Sequence, residues 1–290
     1  MRLSVVTDEL SADLETALEL CRDWGVGAVE LRGVGEQRYP MVSDFWKVRV
    51  PTLLKDSGLR VAALSPGLFK VPFPSPPPEH TQILRWEDAM LFGQAREAEA
   101  LLERHVERVL PESIEAAKRL GAEVLVCFSF DRGEGVPPGP APDPVVEVLR
   151  EAARRTREAG LRLTLEVEHI CWADTGARAA EFVERIGDPD LRINWDPANA
   201  YVAGEDKPYP DGYEPVRRLV GHVHFKDAAT NPATGERGFT DRGVVDWGGQ
   251  IEALQKDGYE GYISVESHAR PKVATTRSFV ERLRSLGVRT

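Results

Sequence analysis

The chain has 290 residues and a mass of 32.2 kDa, which suits either two domains of about 150 residues or one α/β barrel of about 250 residues with insertions. Its 37 basic and 47 acidic residues give a net charge of −10, which excludes the general positive field that draws proteins to nucleic acids or anionic membranes. Apolar residues form 42 % of the chain, enough to exclude wholesale disorder.

Eight short apolar runs alternate along the chain with longer segments of helical spacing. Alternation of strands and helices predicts a parallel sheet, and eight such units that close on themselves predict an α/β fold of the (β/α)8 TIM barrel type. A single domain of this kind would span residues 1–290. The strands are expected near Leu3–Thr7, Gly27–Arg32, Leu59–Ser65, Glu123–Phe130, Leu161–Glu168, Leu191–Asp196, Leu219–Lys226 and Gly261–Ser267.

Amphipathic spacing predicts helices between the strands, and the third and fourth strands are separated by one large insertion. Typical helices are expected at Asp13–Arg22, Val145–Glu158 and Thr175–Ile186. The insertion contains a proline-rich run, Val71–Pro78, and a long charged helix from Gln94 to Leu120 that we expect to bend near Pro111. His80 and His105, both in the insertion, are expected at the surface.

Features of the whole chain bear on its location. No run approaches the 18 or so apolar residues that a membrane span needs, and Leu3–Val6 is too short for the core of a signal peptide. The three cysteines, Cys21, Cys127 and Cys171, form neither a metal-type pair nor a disulfide framework. We therefore expect a cytoplasmic protein without a membrane or nucleic-acid partner.

The loops that leave the predicted strands are longer and richer in Gly and Pro than the turns that enter them. In a barrel, all of these long loops lie at the carboxyl ends of the strands, which is the face that carries the active site in essentially every characterised enzyme of this fold. The asymmetry therefore favours an enzyme over a purely structural barrel.

Polar residues alternate with apolar ones at the ends of the fifth to eighth strands. This period of two points Glu166, Asp196, His224 and Glu266 toward the barrel axis at one end. Buried carboxylates need compensation, and lysine and arginine are scarce in these strand ends, with Lys226 the exception. A divalent metal is the simplest solution, and three carboxylates with one imidazole suit Mn, Mg, Co or Zn.

Four segments at these strand ends resemble the xylose isomerase-like (β/α)8 barrels. That family includes sugar and sugar-phosphate isomerases and epimerases, inosose and dehydroshikimate dehydratases, and the endonuclease IV group. The resemblance implies the same four metal ligands. The chain departs from the pattern of this family at two positions. Asn199 stands where epimerases and nucleases usually have histidine, and Thr230 stands where ketose epimerases have arginine. The matching segments are 165–169, 194–199, 222–227 and 246–268.

These observations predict a metal-dependent isomerase or epimerase that acts on a small sugar, sugar phosphate or polyhydroxy carbonyl compound through an enediolate. Glu166 and Glu266 would be catalytic, one removing a proton α to a carbonyl and the other returning one. The alternatives are a dehydratase of a cyclitol or keto acid, a non-catalytic sugar-binding barrel and, least favoured, a DNA-repair nuclease. Substrate contacts are expected from Glu168, His169, Asn199, His222, Lys226, His268 and Arg242.

Two further expectations concern pairing and assembly. Glu30 and Arg32, at the end of the second strand, are expected to pair with each other rather than to meet substrate. The expected partner is a small carbohydrate-like molecule, and the sequence leaves open whether copies of the chain form a homo-oligomer.

Overall fold

The computed structural model describes residues 1–74, 96–133 and 135–290. Eight parallel strands close into a barrel in which each strand pairs with its neighbours in the chain and the last pairs with the first. The prediction of a (β/α)8 TIM barrel is therefore confirmed. The strands are β1 (Arg2–Val6), β2 (Ala28–Leu31), β3 (Arg60–Leu68), β4 (Val124–Cys127), β5 (Arg162–Glu166), β6 (Arg192–Trp195), β7 (Val220–Phe225) and β8 (Tyr262–Val265).

Helices connect successive strands around the outside of the barrel. They are α1 (Leu14–Asp23), α2 (Asp44–Ser57), α3 (Leu110–Leu120), α4 (Asp143–Glu158), α5 (Gly176–Ile186), α6 (Pro197–Val202), α7 (Trp247–Lys256) and α8 (Lys272–Ser285). Two antiparallel hairpins lie in the loops that leave β2 and β7. The first pairs Gly33–Val34 with Gln37–Arg38, and the second pairs Asp227–Thr230 with Arg237–Thr240. Within the described ranges, every helix is too short or too polar to serve as a membrane span.

Side-chain caps explain where several of these helices begin. The carboxylate of Asp13 accepts the backbone N–H of Thr16 at 2.9 Å, and Asp246 accepts that of Gly249 at 3.0 Å. Each acceptor satisfies one of the N–H groups that the first turn of a helix leaves without a partner. The predicted helices at Asp13–Arg22, Val145–Glu158 and Thr175–Ile186 are confirmed to within two residues at each end.

The barrel has an apolar outer layer and a polar axis. Along β1, Leu3 and Val5 belong to the apolar core between strands and helices, whereas Ser4 lies on the other face and hydrogen-bonds Ser264 of β8. Ser264 in turn lies 3.1 Å from Nε2 of His222. Polar side chains therefore continue inside the barrel toward the carboxyl ends of the strands.

The large insertion is partly described. Residues 96–104 are helical, the hydrogen bonding widens to a π-helical pattern at His105–Val109, and α3 follows with Pro111 in its first turn. Proline has no N–H to donate, and the wider hydrogen-bonding pattern lies directly before it. The expected bend near Pro111 stays a prediction. Gln94, His80 and the second half of the proline-rich run lie outside the described residues.

The expectation that His105 lies at the surface was wrong. Its side chain is 8 % exposed, and its Nδ1 accepts the backbone N–H of Phe69 at 2.8 Å. Phe69 follows β3 with a positive φ of 63°, so this hydrogen bond holds an unusual turn. Burial and the nearby Arg104 lower the pKa of His105 to about 4.

This histidine predicts a pH-dependent stability. The folded state holds the proton less tightly than the unfolded chain, so the free energy of unfolding falls as the pH drops below about 6.5. We expect His105 to contribute a loss of about 2 kcal/mol between pH 7 and pH 5. Urea unfolding of wild type and His105→Asn, which keeps an acceptor near Nδ1, measures the difference. Equal pH dependence in the two proteins would contradict the prediction.

Candidate metal and substrate site

Four buried side chains meet at the carboxyl ends of four neighbouring strands. Glu166 ends β5, Asp196 and Glu266 directly follow β6 and β8, and His224 is the penultimate residue of β7. One ligand atom from each of the four lies within 4.8 Å of the others. His224 Nδ1 is 3.3 Å from Glu166 Oε1, 3.2 Å from Glu266 Oε2 and 3.8 Å from Asp196 Oδ2. We call these four residues the ligand cluster.

Uncharged neighbouring groups orient two of the carboxylates. Asp196 Oδ1 accepts the backbone N–H of Asn199 at 2.8 Å, which caps α6 and leaves Oδ2 facing the cluster. Glu166 accepts side-chain N–H groups from Asn194 at 3.2 Å and from Asn199 at 3.5 Å. Both carboxylates are therefore held by hydrogen bonds that do not occupy all of their oxygen lone pairs.

His224 is oriented by a carboxylate on its far side. Its Nε2 lies 3.0 Å from Glu30 Oε1, while Nδ1 faces the cluster without a hydrogen bond. A ring N–H directed at a carboxylate leaves the other ring nitrogen with its lone pair, which is the usual arrangement of a metal-binding histidine. The sequence pattern did not indicate this role for Glu30, which lies in β2.

The charges of the cluster are not balanced within it. Burial disfavours the charged ring of His224, but the carboxylates of Glu30, Glu166 and Glu266 outweigh burial and raise its pKa well above the ordinary value. Burial also raises the pKa of Asp196 to about 6, despite the opposing charge of Lys226. Excess negative charge in this space therefore favours any cation that enters it.

One sequence-based expectation about cations was wrong. Glu30 and Arg32 do not pair with each other, because β2 ends at Leu31 and the chain turns Arg32 toward Glu266, Glu9 and Asp8. Cations are also less scarce at the site than at the strand ends alone: besides Lys226, the expected exception, whose Nζ lies 2.5 Å from Glu266 Oε2 and 2.9 Å from Asp196 Oδ2, Arg32 contacts Glu266 from beyond β2. The charge argument for a metal therefore depends on Glu166 and His224, which contact no lysine or arginine among the described residues.

Most of the residues expected to bind substrate surround the cluster. Glu168 is buried, and its two oxygens lie 2.5 Å from Lys70 Nζ and 2.6 Å from His169 Nδ1. His268 Nε2 lies 3.3 Å from Glu266 Oε1, and Asn199 Oδ1 lies 3.4 Å from His169 Nδ1. These contacts place the side chains beside the cluster, within reach of a molecule bound there.

Two of the expected substrate residues lie elsewhere. His222 occupies the layer below His224, where its Nε2 is 2.8 Å from Glu30 Oε2. It therefore contacts, from the amino-terminal side, the carboxylate that orients His224. Arg242 is exposed in the loop between the second hairpin and α7, and it forms no hydrogen bond or ion pair with another described residue.

Loops bring residues to the site that the alternation along the strands did not indicate. Phe239, on the second hairpin, has its ring centroid 5.8 Å from that of His169 and 5.3 Å from that of His268, and Lys226 Nζ lies 4.9 Å from the Phe239 centroid. A cavity of about 90 Å³ opens beside the cluster. It is lined by Arg32, Arg38, Ser65, Lys70, Phe128, Glu166, His224, Glu266 and His268.

Solved structures of similar fold cover nearly the whole chain. The chain resembles a xylose isomerase-like TIM barrel protein from Mycobacterium smegmatis, solved in complex with magnesium, with 18 % identity, 97 % and 90 % of the two chains covered and a TM-score of 0.69. It also resembles D-allulose 3-epimerase from Methylomonas sp., solved with D-allulose, at 15 % identity, 98 % and 96 % coverage and a TM-score of 0.67.

A third structural relative carries a different activity in its name. This is the "probable 3-DHS dehydratase AsbF" of petrobactin synthesis from Bacillus anthracis, with 17 % identity, 98 % and 99 % coverage and a TM-score of 0.67. No curated protein matches the chain at a significant level. The family model of the xylose isomerase-like TIM barrels matches residues 18–286. The chain therefore belongs to the xylose isomerase-like TIM barrel family.

Proposed function

We propose that this protein is an isomerase or epimerase of a small sugar, sugar phosphate or related polyhydroxy carbonyl compound, and that it depends on one divalent ion. The observation that carries the proposal is the ligand cluster: four buried donor groups with ligand atoms within 4.8 Å of one another, one of them a histidine nitrogen without a hydrogen bond. Epimerases among the structural relatives, and the magnesium complex of one relative, support it.

The residues of the cluster fit a divalent ion. Three carboxylates and a neutral imidazole carry a formal charge of −3, which a dication and the adjacent Lys226 together bring to zero. Hard oxygen donors with one nitrogen suit Mn, Mg, Co and Zn. Glu30 behind His224, and Asn194 and Asn199 behind Glu166, supply the outer hydrogen bonds that keep such donors in position.

The proposed chemistry is proton transfer at a carbon next to a carbonyl. A bound ion would supply Lewis-acid stabilisation for the negative charge that develops on the carbonyl oxygen. Glu166 and Glu266 come from strands three steps apart, about 135° around the barrel, so they can approach a planar intermediate from different sides. One removes the proton and the other returns it. Glu168, His169, Lys226, His268 and Asn199 would hold the substrate hydroxyls.

A dehydratase of a cyclitol or keto acid is the second candidate. Lys226 Nζ and His268 Nε2 both lie close to Glu266, and either can donate a proton to a departing hydroxyl group. The neighbouring charge of Glu266 raises the pKa of His268, which favours its protonated form. The resemblance to the Bacillus anthracis structure supports this candidate.

Metal dependence is tested by thermal melting of chelator-treated protein. At a concentration about 100 times its Kd, a bound ion stabilises the folded state by about 2.7 kcal/mol, so we expect at least one of Mn, Mg, Co and Zn to raise the Tm by about 5–10 °C. The Glu166→Gln variant should show a smaller rise. No change in Tm with any of the four ions would overturn the metal centre.

The reaction itself is tested in D2O with a panel of aldoses, ketoses, their phosphates, inososes and dehydroshikimate. An isomerase or epimerase incorporates deuterium at the carbon next to the carbonyl and yields an isomeric product. A dehydratase instead yields a product lighter by one water with changed ultraviolet absorbance, namely an enone or its tautomer from a saturated hydroxyketone and an aromatic ring from dehydroshikimate. If the metal-loaded protein neither exchanges deuterium nor converts any member of the panel, the enzymatic proposal fails and a sugar-binding barrel is favoured.

A further inference from the structure

A second cavity lies at the opposite end of the barrel from the ligand cluster. It has a volume of about 730 Å³ and opens at the amino-terminal ends of the strands. Its wall is formed by the first residues of β1, β4, β5, β6, β7 and β8 and by the segments that precede β7 and β8. Sequence analysis assigned no role to this end of the molecule.

The lining of this cavity is positively charged in a protein that is acidic overall. Six cations, Arg2, Arg162, Arg192, Arg217, Arg218 and Lys256, face three acids, Glu123, Asp257 and Glu260. Six minus three leaves an excess of three positive charges, against a net charge of −10 for the chain. Like charges gathered in one concave surface repel one another and attract anions.

Only part of this charge is compensated. Arg2 binds both oxygens of Glu123, at 2.9 and 2.8 Å, and Arg217 Nε donates to Asp257 at 3.1 Å. Arg162, Arg218 and Lys256 form no ion pair in the part of the chain that the structure describes, so they remain available to a ligand.

Other contacts hold the arginines in place before any ligand arrives. Arg192 Nη1 donates to the carbonyl oxygens of Pro189 at 2.7 Å and Leu191 at 2.9 Å. A Cβ at Gly221 would lie 2.5 Å from Cβ of Arg192, so glycine at that position makes room for the arginine stem. The guanidinium carbon of Arg2 lies 3.8 Å from the ring centroid of Tyr262. Arg2 and Arg192 are therefore held in place before a ligand binds.

We propose that this amino-terminal cavity binds a small molecule that carries two or more phosphate groups. Guanidinium groups match the geometry of phosphate oxygens and bind them bidentately, and several of them around one cavity suit a chain of phosphates better than a single anion. A volume of about 730 Å³ lies within the range of small-molecule sites and holds a ligand as large as a nucleotide. None of the four residues of the ligand cluster lines this cavity, although His222, which does, contacts Glu30 behind His224.

The test uses calorimetric titration of chelator-treated protein with inorganic triphosphate, so that no metal at the other end of the barrel can bind the probe. We expect saturable binding of one triphosphate per chain and weaker binding of orthophosphate. Arg162→Ala and Arg218→Ala should each raise the Kd for triphosphate about tenfold. Both side chains are exposed and pair with no acid, so the variants should fold normally.

Arg60→Ala is the matched control. Arg60 also begins a barrel strand at this end and is exposed, but it does not line the cavity, so its replacement should leave the Kd unchanged. Absence of saturable binding to the wild type would overturn the proposal. An equal loss of triphosphate affinity in the Arg60 variant would also overturn it, because it indicates general electrostatic attraction. Equal affinity for orthophosphate and triphosphate would overturn it too, because it indicates a site for a single anion.

Discussion

Replacing Glu166 by glutamine is expected to lower kcat/KM by about a thousandfold or more. Glutamine keeps the shape of the side chain but can neither accept a proton nor supply a charged ligand oxygen, and each of these losses costs orders of magnitude in rate. Among the described residues, Glu166 contacts Asn194, Asn199 and His224 within hydrogen-bonding range and no lysine or arginine, so neutralising it leaves none of these described cations without a partner. The variant should therefore fold, and steady-state kinetics on the substrate identified by deuterium exchange measure the loss.

Glu181→Gln provides the control for this variant. Glu181 is an exposed glutamate on α5, so the same chemical change there should leave kcat/KM within about twofold of wild type. Retention of more than a tenth of wild-type activity by the Glu166 variant would remove Glu166 from the proton transfer.

Replacing Arg32 by methionine is expected to destabilise the protein by about 3–5 kcal/mol. The guanidinium is almost fully buried and contacts Glu266, Glu9 at 2.6 Å and Asp8 at 2.8 Å. Glu9 is completely buried and Glu266 nearly so. Loss of the shared cation leaves Glu9 with His268 and Glu266 with Lys226, so neither carboxylate keeps all of its compensating charge. Removing one member of a buried ion pair typically costs this much because the remaining charge is uncompensated. Urea unfolding at pH 7 measures the change in the free energy of unfolding.

Two further variants show whether the loss comes from uncompensated charge. Arg49→Met breaks a half-exposed pair with Glu15 at 3.4 Å and should change stability by less than about 0.5 kcal/mol. Adding Glu9→Gln to Arg32→Met should recover part of the lost stability, since it removes one of the uncompensated charges. If Arg32→Met unfolds within about 1 kcal/mol of wild type, the buried network does not support the site.

The alternation of polar and apolar residues along the strands made the barrel and the four cluster residues predictable. Parallel strands bring their carboxyl ends to one face, and the period of two decides which side chains enter the barrel. The same period does not show how far along the barrel axis a side chain lies. His222 and His224 share a face of β7 but lie two residues apart along the strand, and only His224 reaches the cluster. That is why His222 was expected among the substrate residues and lies below them.

Residues outside the strands were harder to predict because no regular period governs them. Arg32 lies one residue beyond β2, where the chain turns, and its partners come from β8 and from the segment after β1. Phe239 reaches the site from the second hairpin, and Lys70 reaches it from the segment that follows β3. His105 appeared to lie on a solvated charged helix, but a tertiary contact with Phe69 buries it. Such contacts depend on the folded path of the chain.

The two oxygens of Asp196 have different roles, one in capping a helix and one in facing the ligand cluster. One belongs to the first turn of α6 and the other points into the cluster, so a single carboxylate fixes the distance between a helix and a donor atom. Any drift of α6 along the barrel would carry that donor with it. Selection for binding at this position is therefore also selection for the placement of the helix, and the two traits cannot be improved independently by changes at residue 196.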